Sequence, residues 1–314
     1  MKPFYQPKVI ASGLFGGLLA SLSPGAARAG DTIFVANSTN GTIGAYTTSG
    51  ATVNAALISG LHQPVGIAVS GSDLFVANSV SGTIGEYTTS GATVNAALIS
   101  GLGFPSGIAL SGSDLFVANG VFNGTIGEYT TSGATVNAAL ISGLTQPFGI
   151  AVSGSDLFVT IGALALSGTI GAFTTSGATV NPALISGEIL PFGIAVSGSD
   201  LFVTNAAPPG TIGEYTTSGA TVNAALISGL DETLGVAQSG SDLFVTNFAG
   251  DTVGEYTTAG ATVNAALISG LDRPAGIAIS GSSVPEASTW AMALTGFAAL
   301  AFAVRRARAK AVLV

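Results

Sequence analysis

The chain contains no cysteine, which excludes a disulfide framework, a thiolate nucleophile and any cysteine-ligated metal. Histidine occurs once, at His62, so a catalytic triad or a histidine acid–base pair has almost nothing to draw on. Charge is scarce as well, at 8% of residues, and the cations sit almost entirely at the two ends: Lys2, Lys8 and Arg28 at one, Arg305, Arg306, Arg308 and Lys310 at the other. Between Asp31 and Ser280 Arg273 is the single cation against fifteen carboxylates, a net charge of −14. A surface of that sign repels phosphate backbones, which excludes nucleic acid as a partner. Disorder is excluded by the opposite excess, since 47% of residues are hydrophobic and such a chain buries itself.

What fills the chain is repetition. Four short phrases recur in one order, and the second opens at Asp31, Asp73, Asp114, Asp156, Asp200 and Asp242, at intervals of 42, 41, 42, 44 and 42 residues. A period in that range marks an array of supersecondary units. In the copy starting at Gln63 the phrases are GIAVS from Gly66, DLFVAN from Asp73, GTIGEY from Gly82 and ATVNAALI from Ala92. The first is short, apolar and β-branched and predicts a fully buried strand. The second carries Phe34, Phe75, Phe116, Phe158, Phe202 or Phe244 at one fixed place, a row expected to pack blade against blade. The fourth alternates Thr93, Asn95 and Ala97 with Val94, Ala96 and Leu98, predicting an outer strand with one wetter face. Ser-Gly-Ser and Thr-Thr-Ser-Gly turns join them.

Four antiparallel strands per unit make a propeller blade. The array begins at phrase two and ends, at Gly276 to Ser280, on a lone phrase one. Three strands from the start and one from the end complete a single blade, so the sequence predicts an all-β, closed six-bladed propeller over residues 30–281. An open solenoid would need polar caps instead. The runs Pro64 to Val69, Leu74 to Asn78 and Ile84 to Tyr87 resemble the NHL repeat family of six-bladed propellers, and the Ile-Gly-x-Tyr-Thr-Thr-x-Gly phrase is similar to the repeats of streptogramin lyases. The chain departs from the NHL pattern at Ser70, Asn78 and Gly85.

The ends read differently. Residues 1–29 have the shape of a secretory signal peptide: Lys2 and Lys8, an apolar stretch from Val9 to Leu22, and Ala27-Arg28-Ala29 before a mature start at Gly30. Residues 282–314 carry Val284, Pro285, Glu286, Ala287, Ser288, Thr289 and Trp290, an apolar run to Val304, then Arg305, Arg306 and Arg308. The run from Thr289 spans about 24 Å as a helix, enough for a short membrane crossing with the arginines on the cytoplasmic side. This tail resembles the PEP-CTERM sorting signal of Gram-negative bacteria, with Ala287 in place of the second proline. The resemblance implies export across the inner membrane, an anchored precursor, processing by an exosortase, and display at the cell surface or release. A plain membrane anchor is the alternative.

The links after phrases two and four vary while the other turns do not, and in a propeller both kinds emerge on one rim. Polar residues that break the repeat gather there: His62, Glu188, Asp231, Glu232, Asp251, Asp272 and Arg273. Loops on a rigid scaffold are where binding resides, so this rim is the candidate ligand face, with exopolysaccharide or a surface protein as partner and the chain a monomer. No cofactor is implied. Calcium is the one ion that such carboxylates suit, although no loop has DxDxDG spacing. The expected role is non-enzymatic binding or structure in the envelope or matrix. A lyase or hydrolase of the streptogramin-lyase type and a protein adsorbing to ice or another surface are the alternatives.

Overall fold

The computed structural model describes residues 30–120, 123–162 and 167–281. The expected signal peptide, sorting motif and membrane helix lie outside these residues. Within them the chain forms twenty-four strands in six four-stranded antiparallel sheets and no helix.

Blade 1 is composite: the inner strand Pro274–Ser280 pairs with Thr32–Asn37, followed by Thr42–Thr47 and Thr52–Ile58. Blade 2 runs Pro64–Ser70, Asp73–Asn78, Thr83–Thr88 and Thr93–Ile99, and blade 3 Pro105–Ser111, Asp114–Asn119, Gly124–Thr130 and Thr135–Leu144. Blade 4 comprises Ile150–Ser153, Asp156–Ile161, Gly168–Thr174 and Thr179–Glu188, and blade 5 Pro191–Ser197, Asp200–Asn205, Gly210–Thr216 and Thr221–Leu230. Blade 6 comprises Thr233–Ser239, Asp242–Asn247, Thr252–Thr257 and Thr262–Ser269. The ring therefore closes three strands against one, as the phrase order requires. Ile33 pairs with Ile279 and Val35 with Ile277, and the Thr32 amide donates to Ser280 Oγ at 3.1 Å.

The phenylalanine row is the layer between blades. All six rings are at most 1% exposed, and burying each one contributes about 1.5–3 kcal/mol. Phe34 of blade 1 packs on Leu74, Val76 and Tyr87 of blade 2, and Phe75 repeats this on Leu115, Val117 and Tyr129 of blade 3. At the closing junction Phe244 meets Ile33, Val35 and Tyr46, so the seam is packed like every other junction.

Two expectations need correction. The inner strands are not fully buried: Val69 and Ser70 are half-buried, because these strands wall a central channel. The outer strands do not alternate either; Thr93 to Ala97 are all exposed, Val94 at 55%. The register explains this, since Ile84 pairs with Ile99 but Glu86 with Asn95, leaving three outer residues opposite Gly85. Asn95 Oδ1 accepts the Ala97 amide at 3.1 Å, and the other five blades repeat the bond. A bulge with a side chain capping its free amide blunts an edge that would otherwise pair with another sheet.

The channel is narrow because inner strands touch through glycine. A Cβ on Gly66 would lie within bonding range of the Ser106 carbonyl of the next blade, and the same contact recurs around the ring. About 80 Å³ is left at the centre.

Candidate functional site at the mouth of the channel

Each inner strand is entered through a residue with left-handed backbone: Gln63, Phe104, Gln146, Leu190, Glu232 and Arg273, with φ between 49° and 55°. Non-glycine residues rarely adopt this region, and such strain persists only where surrounding structure fixes it. Here hydrogen bonds fix it. The carbonyls of Gln63, Phe104, Leu190, Glu232 and Arg273 accept amides of Ser79, Gly120, Ala206, Phe248 and Ser38, at 3.0–3.2 Å. These bonds join the links after second strands to the links after outer strands, so both kinds share one rim.

Two residues further along each inner strand are Val65, Ser106, Phe148, Phe192, Leu234 and Ala275. Five of these six line a depression of about 430 Å³ over the channel, together with Leu190, Glu232, Phe248 and Pro208. Phe148 and Phe192 meet edge to face, 4.5 Å between ring centroids and 78° between planes. The Arg273 guanidinium lies 5.5 Å from the Phe248 ring centroid, a cation–π contact that brings the array's one cation to the wall of the mouth.

The aromatic half is held more firmly than the rest. Blades 4, 5 and 6 carry Thr160, Thr204 and Thr246 where blades 1 to 3 have Ala36, Ala77 and Ala118. Each threonine is fully buried. Its Oγ1 accepts the amide of Gly149, Gly193 or Gly235 at 2.7 Å and donates to the carbonyl of Phe192, Leu234 or Ala275 at 2.8–2.9 Å. Ser106 Oγ does the same for the Phe148 carbonyl at 3.1 Å. Four consecutive wall residues are thus pinned by hydroxyls of the preceding blade.

The expected rim residues separate into groups. Glu232 lines the mouth, and Arg273 stands beside it. Asp251 and Asp272 are half-buried next to Arg273: Asp251 Oδ1 accepts the Arg273 amide at 2.8 Å, and the Asp272 amide donates to Asn37 Oδ1 at 3.3 Å. They shape the loop. His62 and Asp231 are exposed on the rim and do not line the depression. Glu188 is 7% exposed; it turns into the junction of blades 4 and 5, where its oxygens accept Asn205 Nδ2 at 2.8 Å and the Tyr215 hydroxyl at 2.7 Å. Among the described residues no three of His, Asp and Glu gather closely enough to hold a metal ion.

The charge-based reading missed the apolar wall. Its signal was present: the positions either side of the entry proline, which is Thr233 in blade 6, read Gln and Val, Phe and Ser, Gln and Phe, Leu and Phe, Glu and Leu, Arg and Ala in successive copies. Variation there, inside an array that otherwise repeats almost letter for letter, marks the mouth better than polarity does.

Nearer the opposite rim, Glu86, Glu128, Glu214 and Glu255 have carboxyl pKa values raised first by burial and then by the charge of Asp73, Asp114, Asp200 and Asp242. Burial also raises the hydroxyl pKa of Tyr46, Tyr87, Tyr129 and Tyr256, and most strongly that of Tyr215, where Glu188 adds to it.

No protein-family model and no curated protein matches the sequence. Solved structures do match in shape. A chain of a nidogen/laminin complex superposes with a TM-score of 0.66 at 19% identity, covering 81% of this chain and 99% of that one. A Bacteroides caccae protein of unknown function gives 0.58 at 15%, covering 79% and 98%. A Xanthomonas campestris gluconolactonase gives 0.54 at 14%, covering 63% and 73%. At these identities the likeness is one of fold: the chain is a six-bladed propeller.

Proposed function

We propose that the chain is an exported, non-enzymatic propeller that binds a carbohydrate of the cell envelope or extracellular matrix at the mouth of its channel. The observation that carries this reading is the convergence of Phe148, Phe192 and Phe248 with Glu232 and Gln63 on one depression of about 430 Å³, with Arg273 over the Phe248 ring. Aromatic faces take the apolar face of a sugar ring while a few rim groups bond its hydroxyls. The strained entry positions support it, because they set five residue types around the mouth, with Gln63, Leu190 and Glu232 in its lining. Export, passage through the inner membrane, exosortase processing and surface display rest on the signal-like and PEP-CTERM-like ends of the sequence, with Glu286, Trp290 and the arginines as the groups read by that machinery.

The test is retention of the purified chain on exopolysaccharide from the producing bacterium, against Phe192→Ala and Phe148→Ala variants. Retention that falls by about ten-fold in each variant is expected, since a stacked aromatic is worth roughly 0.5–1.5 kcal/mol beyond its area. Absence of retention, or retention indifferent to both rings, overturns the carbohydrate reading. A second reading is favoured by the gluconolactonase among the similar folds. Lactone hydrolysis by the purified chain that is lost in Glu232→Gln would replace binding with catalysis.

A further inference from the structure

Glu188 breaks the repeat at a core position. The other five repeats carry Leu61, Leu102, Leu144, Leu230 and Leu271 at the matching place, and Leu144 and Leu230 pack there against Phe173 and Tyr256 of the following blade. Replacing such a leucine with a carboxylate forfeits apolar burial and adds the cost of desolvating a charge, which hydrogen bonds only partly recover.

The local network is rebuilt around the carboxylate. Elsewhere the asparagine ending the second strand gives its amide to a threonine of the third: Asn119 to Thr125 at 3.1 Å, Asn247 to Thr252 at 3.1 Å. In blade 5 Asn205 gives it to Glu188 instead of Thr211, and the Tyr215 hydroxyl donates to the other oxygen. Each oxygen accepts one bond and keeps a second acceptor direction. Asn205 is 8% exposed, and its Oδ1, like those of Asn78, Asn119 and Asn247, is buried without a partner. Among the described residues no positive side chain balances the carboxylate, since Arg273 is the array's single cation and lies over Phe248.

Beside this group is a second pocket of about 390 Å³, which shares Pro208 with the mouth. Glu188, Asn205, Thr211 and Tyr215 form its polar wall, and Ile189 and the Pro208–Pro209 pair belong to its apolar one. Glu188 offers acceptor directions that the Asn205 amide and the Tyr215 hydroxyl leave free. We propose that this pocket binds a protonated amine, its ammonium on Glu188 and its carbon body against the prolines. Compact cations with several donors match such a set, and an ammonium supplies the charge that the junction lacks.

Isothermal titration of the purified full chain with n-butylammonium chloride, D-glucosamine hydrochloride, N-acetyl-D-glucosamine and calcium chloride tests the assignment. Glu188→Leu restores the residue of the other five junctions and so keeps the fold, and Glu188→Gln keeps the shape without the charge; circular dichroism confirms both. Saturable binding of n-butylammonium is expected, weakened roughly ten- to hundred-fold in Glu188→Gln and lost in Glu188→Leu. Glucosamine binding as well identifies an amino sugar as a source; butylammonium alone identifies an alkylamine such as a lysine side chain. The proposal is overturned by no saturable binding of either amine, by equal binding in the variants, by N-acetylglucosamine binding as tightly as glucosamine, or by calcium alone binding through Glu188. Because Glu188 is outside the mouth, loss of polysaccharide retention in the phenylalanine variants with amine binding intact separates the two sites.

Discussion

Blade 4 contains a natural double substitution that can be transplanted. Where other blades end the second strand with asparagine and carry tyrosine in the third, blade 4 has Ile161 and Phe173. In blade 6 the Asn247 amide lies against the Tyr256 hydroxyl and donates to Thr252 Oγ1 at 3.1 Å. Asn247 is 5% and Tyr256 3% exposed, so neither can recover a lost partner from water. Asn247→Ile alone strands the tyrosine hydroxyl in an apolar junction, at a cost of about 1–3 kcal/mol. Tyr256→Phe alone removes one hydroxyl and leaves the asparagine its threonine, costing about 0.5–1.5 kcal/mol. Together they recreate the blade 4 pair, and the double variant should be no less stable than Asn247→Ile alone, with a coupling of about 1 kcal/mol. Guanidinium unfolding followed by circular dichroism measures all four corners of the cycle. Additivity within about 0.5 kcal/mol, or a double variant less stable than either single one, refutes the reasoning.

Stability should also depend on pH in a specified direction. A carboxyl whose folded pKa is raised costs nothing below its ordinary value near 4.5, and its penalty appears as pH rises through the folded pKa. Thermal stability should therefore increase as pH falls from neutral toward 4.5, and a combined Glu86→Gln, Glu128→Gln, Glu214→Gln and Glu255→Gln variant should flatten that rise; an unchanged slope assigns it to general repulsion among the carboxylates. The raised tyrosines act at the other end, giving stability that is complete below pH 10 and lost as pH rises through their folded values, so tyrosinate absorbance should rise together with alkaline unfolding seen by circular dichroism, and ionisation completed in the folded chain would contradict their burial. Gly66→Ala should destabilise by about 1–3 kcal/mol or more, because its Cβ meets backbone. Gly60→Ala, at φ +78° with open space around it, should cost only about 1 kcal/mol; equal costs in thermal melts would contradict the close approach of inner strands.

The propeller was legible because its evidence is periodic: phrase order, interval and the split first blade define strand number, blade number and closure. Burial of single faces was less legible. Thr93 to Ala97 alternate in type, yet both faces are exposed, because the bulge opposite Gly85 depends on pairing with a neighbouring strand. The rim was legible as a rim, but its centre was not. Charge drew attention to His62 and Asp231, which stand away from the depression, and to Glu188, which is buried between blades. Phe148 and Phe192 read as ordinary strand residues until the ring sets them 4.5 Å apart.

The mouth exists only if Pro274–Ser280 completes the blade begun by Thr32–Asn37. With no native cysteine to compete, a Thr32→Cys, Ser280→Cys variant tests this directly, since these residues face one another across the seam. Oxidation followed by peptide mapping should recover residues 32 and 280 joined within one chain, and the link should raise stability by up to about 5 kcal/mol. Thiols that remain free, or link only between chains, would contradict the closed ring and the binding site built on it.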